Sequence, residues 1–335
     1  MYILGDRQML DLMILEILRE YSDENHRLTQ QQIIRYLKAN YDVECDRRTV
    51  KSYVEKLQNM ETDLGIKVHI DDGRRGYYID SFFNDAELRM LIDSVLCSKN
   101  LTAEQSGKII AKLKNLGNKY FSPMVSHVHN LSRMHKGKSS ELIEVVSCLN
   151  DAISRGRKVS FNYNSYDVGF ELKPRRREKY IVNPYQMAVA NGFYYLIGNL
   201  DKYDDISHYR IDKITNIRVL EDEPVKPMNL VKGLEHGLNL PKHMAEHIYM
   251  YSGGTVNAQI DVPLDMMNEL VDWFGTDFQI MSKKKERMVI RVTCNRQALI
   301  YWSLQYGPFA EVLSPDSLRD EIKAEIEKMH EKYQR

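Results

Sequence analysis

Phe193-Tyr194-Tyr195-Leu196-Ile197-Gly198 and, shortly after it, His208-Tyr209-Arg210-Ile211-Asp212-Lys213-Ile214 decide how this chain is read. The first run, and the second from His208 to Ile211, are rich in aromatic and β-branched residues and read as strands. Alternation puts His208 and Arg210 on one face of the second strand and Tyr209 and Ile211 on the other. It also sets Tyr194 and Leu196 opposite Tyr195, so at least one of these groups belongs to a core.

Upstream, Leu142, Val145, Val146, Leu149 and Ile153 mark a helix that ends at Arg155-Gly156. Val159, Phe161 and Tyr163 then alternate as a strand. Further short strands are expected around Phe170-Leu172, Tyr180-Val182, Met187-Val189 and Ile217-Val219. One helix leading a run of short strands predicts a small, strongly bent sheet or barrel. Within it, Lys173-Pro174-Arg175-Arg176-Arg177-Glu178-Lys179 carries five basic residues against one acid. A charge run of this kind is usually a solvated hairpin. Here it lies near Tyr163, Tyr166, Tyr180 and Tyr185, and basic groups interleaved with aromatics are what a phosphate-bearing, base-stacking ligand needs.

Downstream, from Thr255, the pattern runs strand, helix, strand, strand, helix, strand, then a final helix after Ser314-Pro315. That order is ferredoxin-like. Lys283-Lys284-Lys285 falls in a predicted hairpin and reads as a solvated turn.

The Tyr194-Tyr195-Leu196 run, with Asn183-Pro184-Tyr185 before it and Tyr209-Arg210-Ile211-Asp212 after it, resembles the WYL domain over roughly Ser139 to Glu221. Tyr194 stands where that family's name has Trp. Tyr306-Gly307-Pro308-Phe309-Ala310-Glu311-Val312-Leu313-Ser314-Pro315 resembles the signature of the WCX extension that follows a WYL domain. The resemblance implies an Sm-like small β-barrel that binds an anionic regulatory ligand, with single-stranded DNA or RNA and nucleotides as leading candidates. It makes Arg210 the first choice for an anion contact. His208, Tyr185 and Tyr195 follow, with Arg175 and Arg177 of the basic run. For each tyrosine the alternative is a buried ring with a satisfied hydroxyl; for Arg210 it is an ion pair with Asp212 or Glu171.

Such domains sit behind a DNA-binding head, and the N-terminus is read independently. Leu10, Met13, Ile14, Ile17, Leu18 and Tyr21 form one helical stripe. Thr29-Gln30-Gln31-Gln32 is a capping box opening a second helix, with Ile33, Ile34 and Leu37 inward. Asp46 caps a third, with Val50, Tyr53, Val54, Leu57 and Met60 inward. After Leu64-Gly65 the period switches to two: Ile66, Val68 and Ile70, a turn at Asp71-Asp72-Gly73, and a return through Gly76-Tyr77-Tyr78-Ile79. Three helices and a hairpin predict a winged helix-turn-helix, whose third helix enters the major groove. Arg47, Arg48, Thr49 and Lys51 at its start, and Arg74 and Arg75 at the wing tip, are the candidate DNA contacts, because a guanidinium forks onto guanine edges and phosphates. Asp46-Arg47-Arg48-Thr49-Val50 resembles the recognition-helix opening of such regulators, with Asp where they often have Ser. Against this, the head through Asp80 has 12 Lys and Arg to 15 Asp and Glu. Between head and barrel, Asn84-Asp85-Ala86-Glu87 and Thr102-Ala103-Glu104-Gln105 open two more helices, with Leu88, Leu91, Ile92, Val95, Leu96 and Ile109, Ile110, Leu113, Leu116 inward.

The 335 residues are too many for one ordinary core. The expectation is a multidomain α+β chain: winged helix-turn-helix at 1–80, helical connector at 81–138, WYL barrel at 139–222, linker at 223–254 and ferredoxin-like WCX domain at 255–335. Lys and Arg balance Asp and Glu at 47 each, so any nucleic-acid site is a local patch. Four scattered cysteines, no signal peptide and no apolar run of membrane length predict a bacterial-type cytoplasmic protein without membrane contact. His243-Met244-Ala245-Glu246-His247 fits the H-x-x-E-H zinc pattern, yet it sits in a linker without a downstream acidic ligand. No G-x-S-x-G, P-loop or dinucleotide fingerprint occurs. The expectation is therefore no enzyme, no cofactor and no metal. It is a homodimeric, ligand-responsive transcription regulator bound to double-stranded operator DNA; the alternative is a nucleic-acid-binding accessory protein that modulates a partner enzyme.

Overall fold

The computed structural model describes residues 9–59, 67–70, 76–121, 137 and 139–334. The chain divides into two compact units, one up to residue 136 and one from residue 137.

The first unit opens on α1 (Leu10–Tyr21), α2 (Gln30–Tyr41) and α3 (Arg47–Asn59), followed by the antiparallel pair β1 (Val68–Ile70) and β2 (Tyr77–Ile79). The expected stripes close one core: Leu10, Ile14, Ile17 and Leu18 meet Ile33, Leu37, Val50, Val54 and Leu57 under Val68, Tyr77 and Ile79. Both capping signals are made. The Thr29 side chain accepts the Gln32 N–H while the Gln32 side chain accepts the Thr29 N–H. Asp46 Oδ1 accepts the Thr49 N–H at 2.7 Å, which sets the start of α3. Gly76 has φ +93°, and a Cβ there would lie 2.6 Å from the Leu28 carbonyl oxygen that accepts the Tyr77 N–H. Glycine is thus required where β2 meets the entry to α2. The hairpin tip with Arg74 and Arg75 lies outside the described residues, as do Met60, Leu64, Gly65 and Ile66.

Next, α4 (Asp85–Cys97) and α5 (Ala103–Lys114) each start on the expected capping box. Leu88, Ile92, Ile110 and Phe121 form their core. Leu91 and Leu116, read as inward from the sequence, are 38% and 46% exposed. A pair of short helices covers only a narrow stripe on each, so the flanks of the apolar face stay wet.

The second unit begins with α6 (Leu142–Arg155), stopped by Gly156 in the left-handed conformation. Six strands follow: β3 (Arg157–Tyr166), β4 (Leu172–Pro174), β5 (Tyr180–Ala190), β6 (Phe193–Leu200), β7 (Ile206–Arg210) and β8 (Ile214–Pro224). All their pairings are antiparallel, with β3 joining β4, β5 and β8, and β6 lying between β5 and β7. One strand serving three neighbours curls the sheet. Three local expectations change. Phe170 belongs to a turn at φ 61°, not to a strand. Tyr180–Val182 and Met187–Val189 are one strand, bulged at Tyr185. Ile211 leaves β7 for a 3₁₀ turn, Ile211–Lys213.

On one side of the curled sheet Phe161, Tyr163, Tyr180 and Tyr209 pack edge-to-face or stacked, with centroids 5.3–6.5 Å apart. Leu196 sits opposite Tyr209 in register and is fully buried with it. The alternate residues Tyr195, Ile197, His208 and Arg210 face the other way. That face is covered by residues 225–254, which include α7 (Leu240–Glu246); Val231, Leu234 and Met250 pack on Tyr185, Ala188, Ile197 and Ile206.

The C-terminal part runs β9 (Thr255–Pro263), α8 (Met267–Phe274), β10 (Gln279–Lys283), β11 (Arg287–Asn295), α9 (Arg296–Gln305), β12 (Glu311–Ser314) and α10 (Asp316–Tyr333). Its four strands form an antiparallel sheet in the order β10-β11-β9-β12. Ile260, Leu270, Phe274, Ile290, Trp302 and Leu318 anchor its core. Among the described residues no helix is long and apolar enough to cross a membrane.

Candidate functional site

Arg47, Arg48 and Lys51 are exposed on the first turns of α3, while Val50, Val54 and Leu57 turn into the core. Lys51 lies 3.7 Å from Glu55, and Thr49 is half-buried against its cap Asp46. The start of α3 therefore presents guanidinium groups on a rigid, capped element. Arg74 and Arg75 cannot be placed beside them, since they fall outside the described residues.

The second site is built at the end of β7. Arg210 donates from Nε to Asp212 Oδ1 at 3.0 Å and from Nη2 to Oδ2 at 2.6 Å. Asp212 is 2% exposed and held by the 3₁₀ turn, so the carboxylate fixes the guanidinium in one plane. The same guanidinium lies 3.5 Å over the Phe193 ring, and the Arg210 N–H donates to Tyr163 Oη at 3.1 Å. Arg175 approaches the Tyr163 ring from the basic loop, 4.9 Å from its centroid. Lys213 completes the group: burial first, then the charges of Arg210 and Arg175, push its pKa below the ordinary lysine value. Lys213 thus feels two cations, Arg210 and Arg175, and one carboxylate, Asp212, which Arg210 holds. Tyr166 and Tyr195 stand close enough for the Arg210 and Asp212 charges to act on their phenols, although burial is the main reason both are raised.

The sequence-chosen residues divide here. Arg175, Arg210 and Tyr195 come together. Arg177 is exposed on the same loop and makes no hydrogen bond or ion pair among the described residues. Neighbouring Arg176 is spent on Tyr180, 3.6 Å over its ring, and on the carbonyls of Glu178 and Lys179. Tyr185 packs under residues 225–254, donates its hydroxyl to the Lys226 carbonyl at 2.8 Å, and is pushed up to about 12 by burial. That is the satisfied core ring, with no hydroxyl left over for a ligand. Lys213 is not among the residues the sequence singles out, since the strand reads only to Ile211 and the resemblance points to Arg210. The 3₁₀ turn Ile211–Lys213 leaves it within electrostatic reach of Arg210.

His208 has another neighbourhood. It meets His243 and His247 of the covering segment, with His208 Nε2 2.8 Å from His243 Nε2 and His243 stacked on His247 at 4.1 Å. All three are buried, and burial holds the imidazoles below the ordinary histidine value, His243 at about 4.

Residues 144–219 match the WYL domain and residues 261–330 match the WCX domain. No curated protein matches the chain. Among solved structures, proteasome accessory factor B/C (PafBC) of Arthrobacter aurescens is 12% identical with a TM-score of 0.29, over 94% of this chain and 47% of that one. The chain thus spans about half of that relative's length. A structure described as a CRISPR Cas-related protein is 13% identical with a TM-score of 0.37, over 99% of this chain and 88% of that one.

Proposed function

We propose, from a WYL and a WCX domain carried behind a unit of helices and a hairpin, that the chain is a non-catalytic, ligand-responsive transcription regulator. In this reading the head is a winged helix-turn-helix that binds operator DNA as a homodimer. Arg47, Arg48, Thr49 and Lys51 face the duplex, with Arg74 and Arg75 on the wing. The WYL sheet is an Sm-like barrel and the WCX domain ferredoxin-like. The observation that carries the effector site is the cluster in which Lys213 feels Arg210, Arg175 and the Asp212 carboxylate that Arg210 holds. An excess of fixed cations beside aromatic rings is relieved by a phosphate group whose base stacks on Tyr166 or Tyr195. A short single strand or a nucleotide supplies both parts, and Arg177 reaches the neighbouring phosphate.

Fluorescence anisotropy with labelled single-stranded DNA and with duplex tests both halves at fixed salt. The pair Arg47→Ala/Arg48→Ala is expected to abolish duplex binding and leave single-strand binding intact. Duplex binding that survives the pair would overturn the DNA-binding head. The head's excess of acid over base would then favour protein contacts and an accessory role.

Lys213→Gln gives the complementary result. Single-strand affinity is expected to fall about tenfold, the value of one charge-assisted contact. The thermal midpoint should hold or rise at neutral pH, because the charged form of Lys213 is disfavoured in the fold. The sign follows from the lowered pKa. The cost to stability is present below the folded value and fades as pH rises to the ordinary lysine value, and anion affinity falls over the same range. A Lys213→Gln protein that binds unchanged would remove Lys213 from the site.

A further inference from the structure

We propose that His208, His243 and His247 form a binding site for a divalent transition-metal ion of the zinc class, which fastens α7 to β7. One ring nitrogen from each residue lies within 4.8 Å of the others. A tetrahedral site with metal–nitrogen bonds near 2.0–2.1 Å needs ligand nitrogens about 3.3 Å apart, so each pair moves by at most about 1.5 Å.

The hydrogen bonds of the three rings are incomplete without such an ion. His247 Nδ1 lies 2.9 Å from the His243 carbonyl, which can only accept, so His247 donates from Nδ1 and carries its lone pair on Nε2. That Nε2 is buried without a hydrogen bond of good geometry, although the Gly253 backbone lies near enough to act on the ring. A backbone carbonyl that orients the far nitrogen of a ligating imidazole is the usual outer support of a metal site. His208 and His243 share one proton between their Nε2 atoms at 2.8 Å, and the other nitrogen of His208, Nδ1, is buried without a hydrogen bond of good geometry, although the Tyr251 backbone lies near enough to act on the ring. Two buried ring nitrogens of one cluster thus lack a good hydrogen bond, and an ion would satisfy one or both. Neutral rings are also the form that ligates a metal.

The donor set selects the ion. Three imidazoles suit zinc, nickel, cobalt or copper and exclude calcium and magnesium, which demand oxygen. A cavity of about 430 Å³ opens beside His243 and His247 and is lined also by Asp205, Glu235 and Glu246, with Lys232 as the one cationic side chain among its described lining residues. It supplies room for a fourth, water ligand and negative charge to offset the ion. The geometry differs from that of an H-x-x-E-H peptidase. The third ring comes from upstream, on a strand, and the ion would cross-link the segment after β8 to the strand that carries Arg210.

The test uses the full-length protein, stripped with chelator, and Co²⁺ or Zn²⁺ alone. One equivalent of Co²⁺ is expected to give the intense visible bands of a four- or five-coordinate nitrogen site, and Zn²⁺ should displace it. Zn²⁺ should raise the thermal midpoint in a concentration-dependent way. His208→Gln, His243→Gln and His247→Gln should each weaken binding at least about tenfold, while His236→Gln should not. In the unaltered protein, Zn²⁺ should shift the NMR ring signals of three of the ten histidines. That readout does not depend on any variant folding. Binding that persists in His243→Gln/His247→Gln, or ring shifts at other histidines only, would overturn the proposal, as would the absence of stoichiometric binding.

Discussion

Arg210→Ala is expected to remove about 3 kcal/mol of folding stability and to weaken single-strand binding at least about tenfold. The stability loss does not come chiefly from the arginine, whose side chain is 23% exposed. It comes from Asp212, which is 2% exposed and receives both of the arginine's forked hydrogen bonds. Deleting the guanidinium removes both forked hydrogen bonds from a buried carboxylate and leaves it only the unbonded charge of Lys213, and breaking such a pair from one side costs far more than the pair contributes. The guanidinium also covers Phe193, so its removal opens apolar surface as well. The two consequences separate in Arg210→Met/Asp212→Leu. That double variant restores most of the lost stability, because well-packed apolar groups replace a buried pair at little cost. It does not restore binding, because the cation is gone. Urea titration followed by circular dichroism, with anisotropy in parallel, reads both. If Arg210→Ala unfolds within about 1 kcal/mol of the original protein, Asp212 is not dependent on it. If the double variant regains binding, Arg210 does not touch the anion.

The sequence carries the local elements of this molecule more plainly than its contacts. Helical stripes and capping residues are local signals, and Thr29, Asn84 and Thr102 cap the helices they announce. Strand existence is equally local, which is why β6 and β7 stand where the tyrosine-rich runs stand. What a strand face meets is decided by distant chain. Alternation correctly separates Tyr209 from His208 and Arg210. It cannot tell that residues 225–254 fold back over the second face, giving Tyr185 its carbonyl partner and His208 two histidines. The H-x-x-E-H spacing shows that His243 and His247 share a helix face, but the third ring is 35 residues upstream of His243 and invisible to any spacing rule. Lys213 was hidden for a smaller reason. The strand reads only to Ile211, and the one-turn 3₁₀ segment Ile211–Lys213 beyond it is announced by no Gly or Pro.

Gly198→Ala, in the run Tyr194-Tyr195-Leu196-Ile197-Gly198, is expected to cost about 3 kcal/mol or more. Gly198 lies opposite Pro184 on β5 and Ser207 on β7, in the middle of three strands. A Cβ there would stand 2.7 Å from the Asn183 carbonyl oxygen and 3.0 Å from Val182 Cγ1. The first of these is backbone of a paired strand and cannot swing aside as a side-chain tip would. Asn183 cannot yield either. It is fully buried, donates to Asn199 Oδ1 at 3.0 Å and to Asp201 Oδ1 at 3.1 Å, and accepts the Lys226 N–H at 2.8 Å. Moving it therefore strains three further contacts, including the one that starts the covering segment on its path. Glycine in a central strand normally weakens it, and here it allows the close approach that the bulge at Tyr185 requires. Gly254→Ala is the matched control: nothing lies within 4 Å of its Cβ position, and little loss is expected. Urea midpoints rank the two, and limited proteolysis should show residues 225–254 cut first in Gly198→Ala. Equal midpoints for the two variants would mean that β5 and β6 can separate without loss, and the asparagine network would then hold nothing in place.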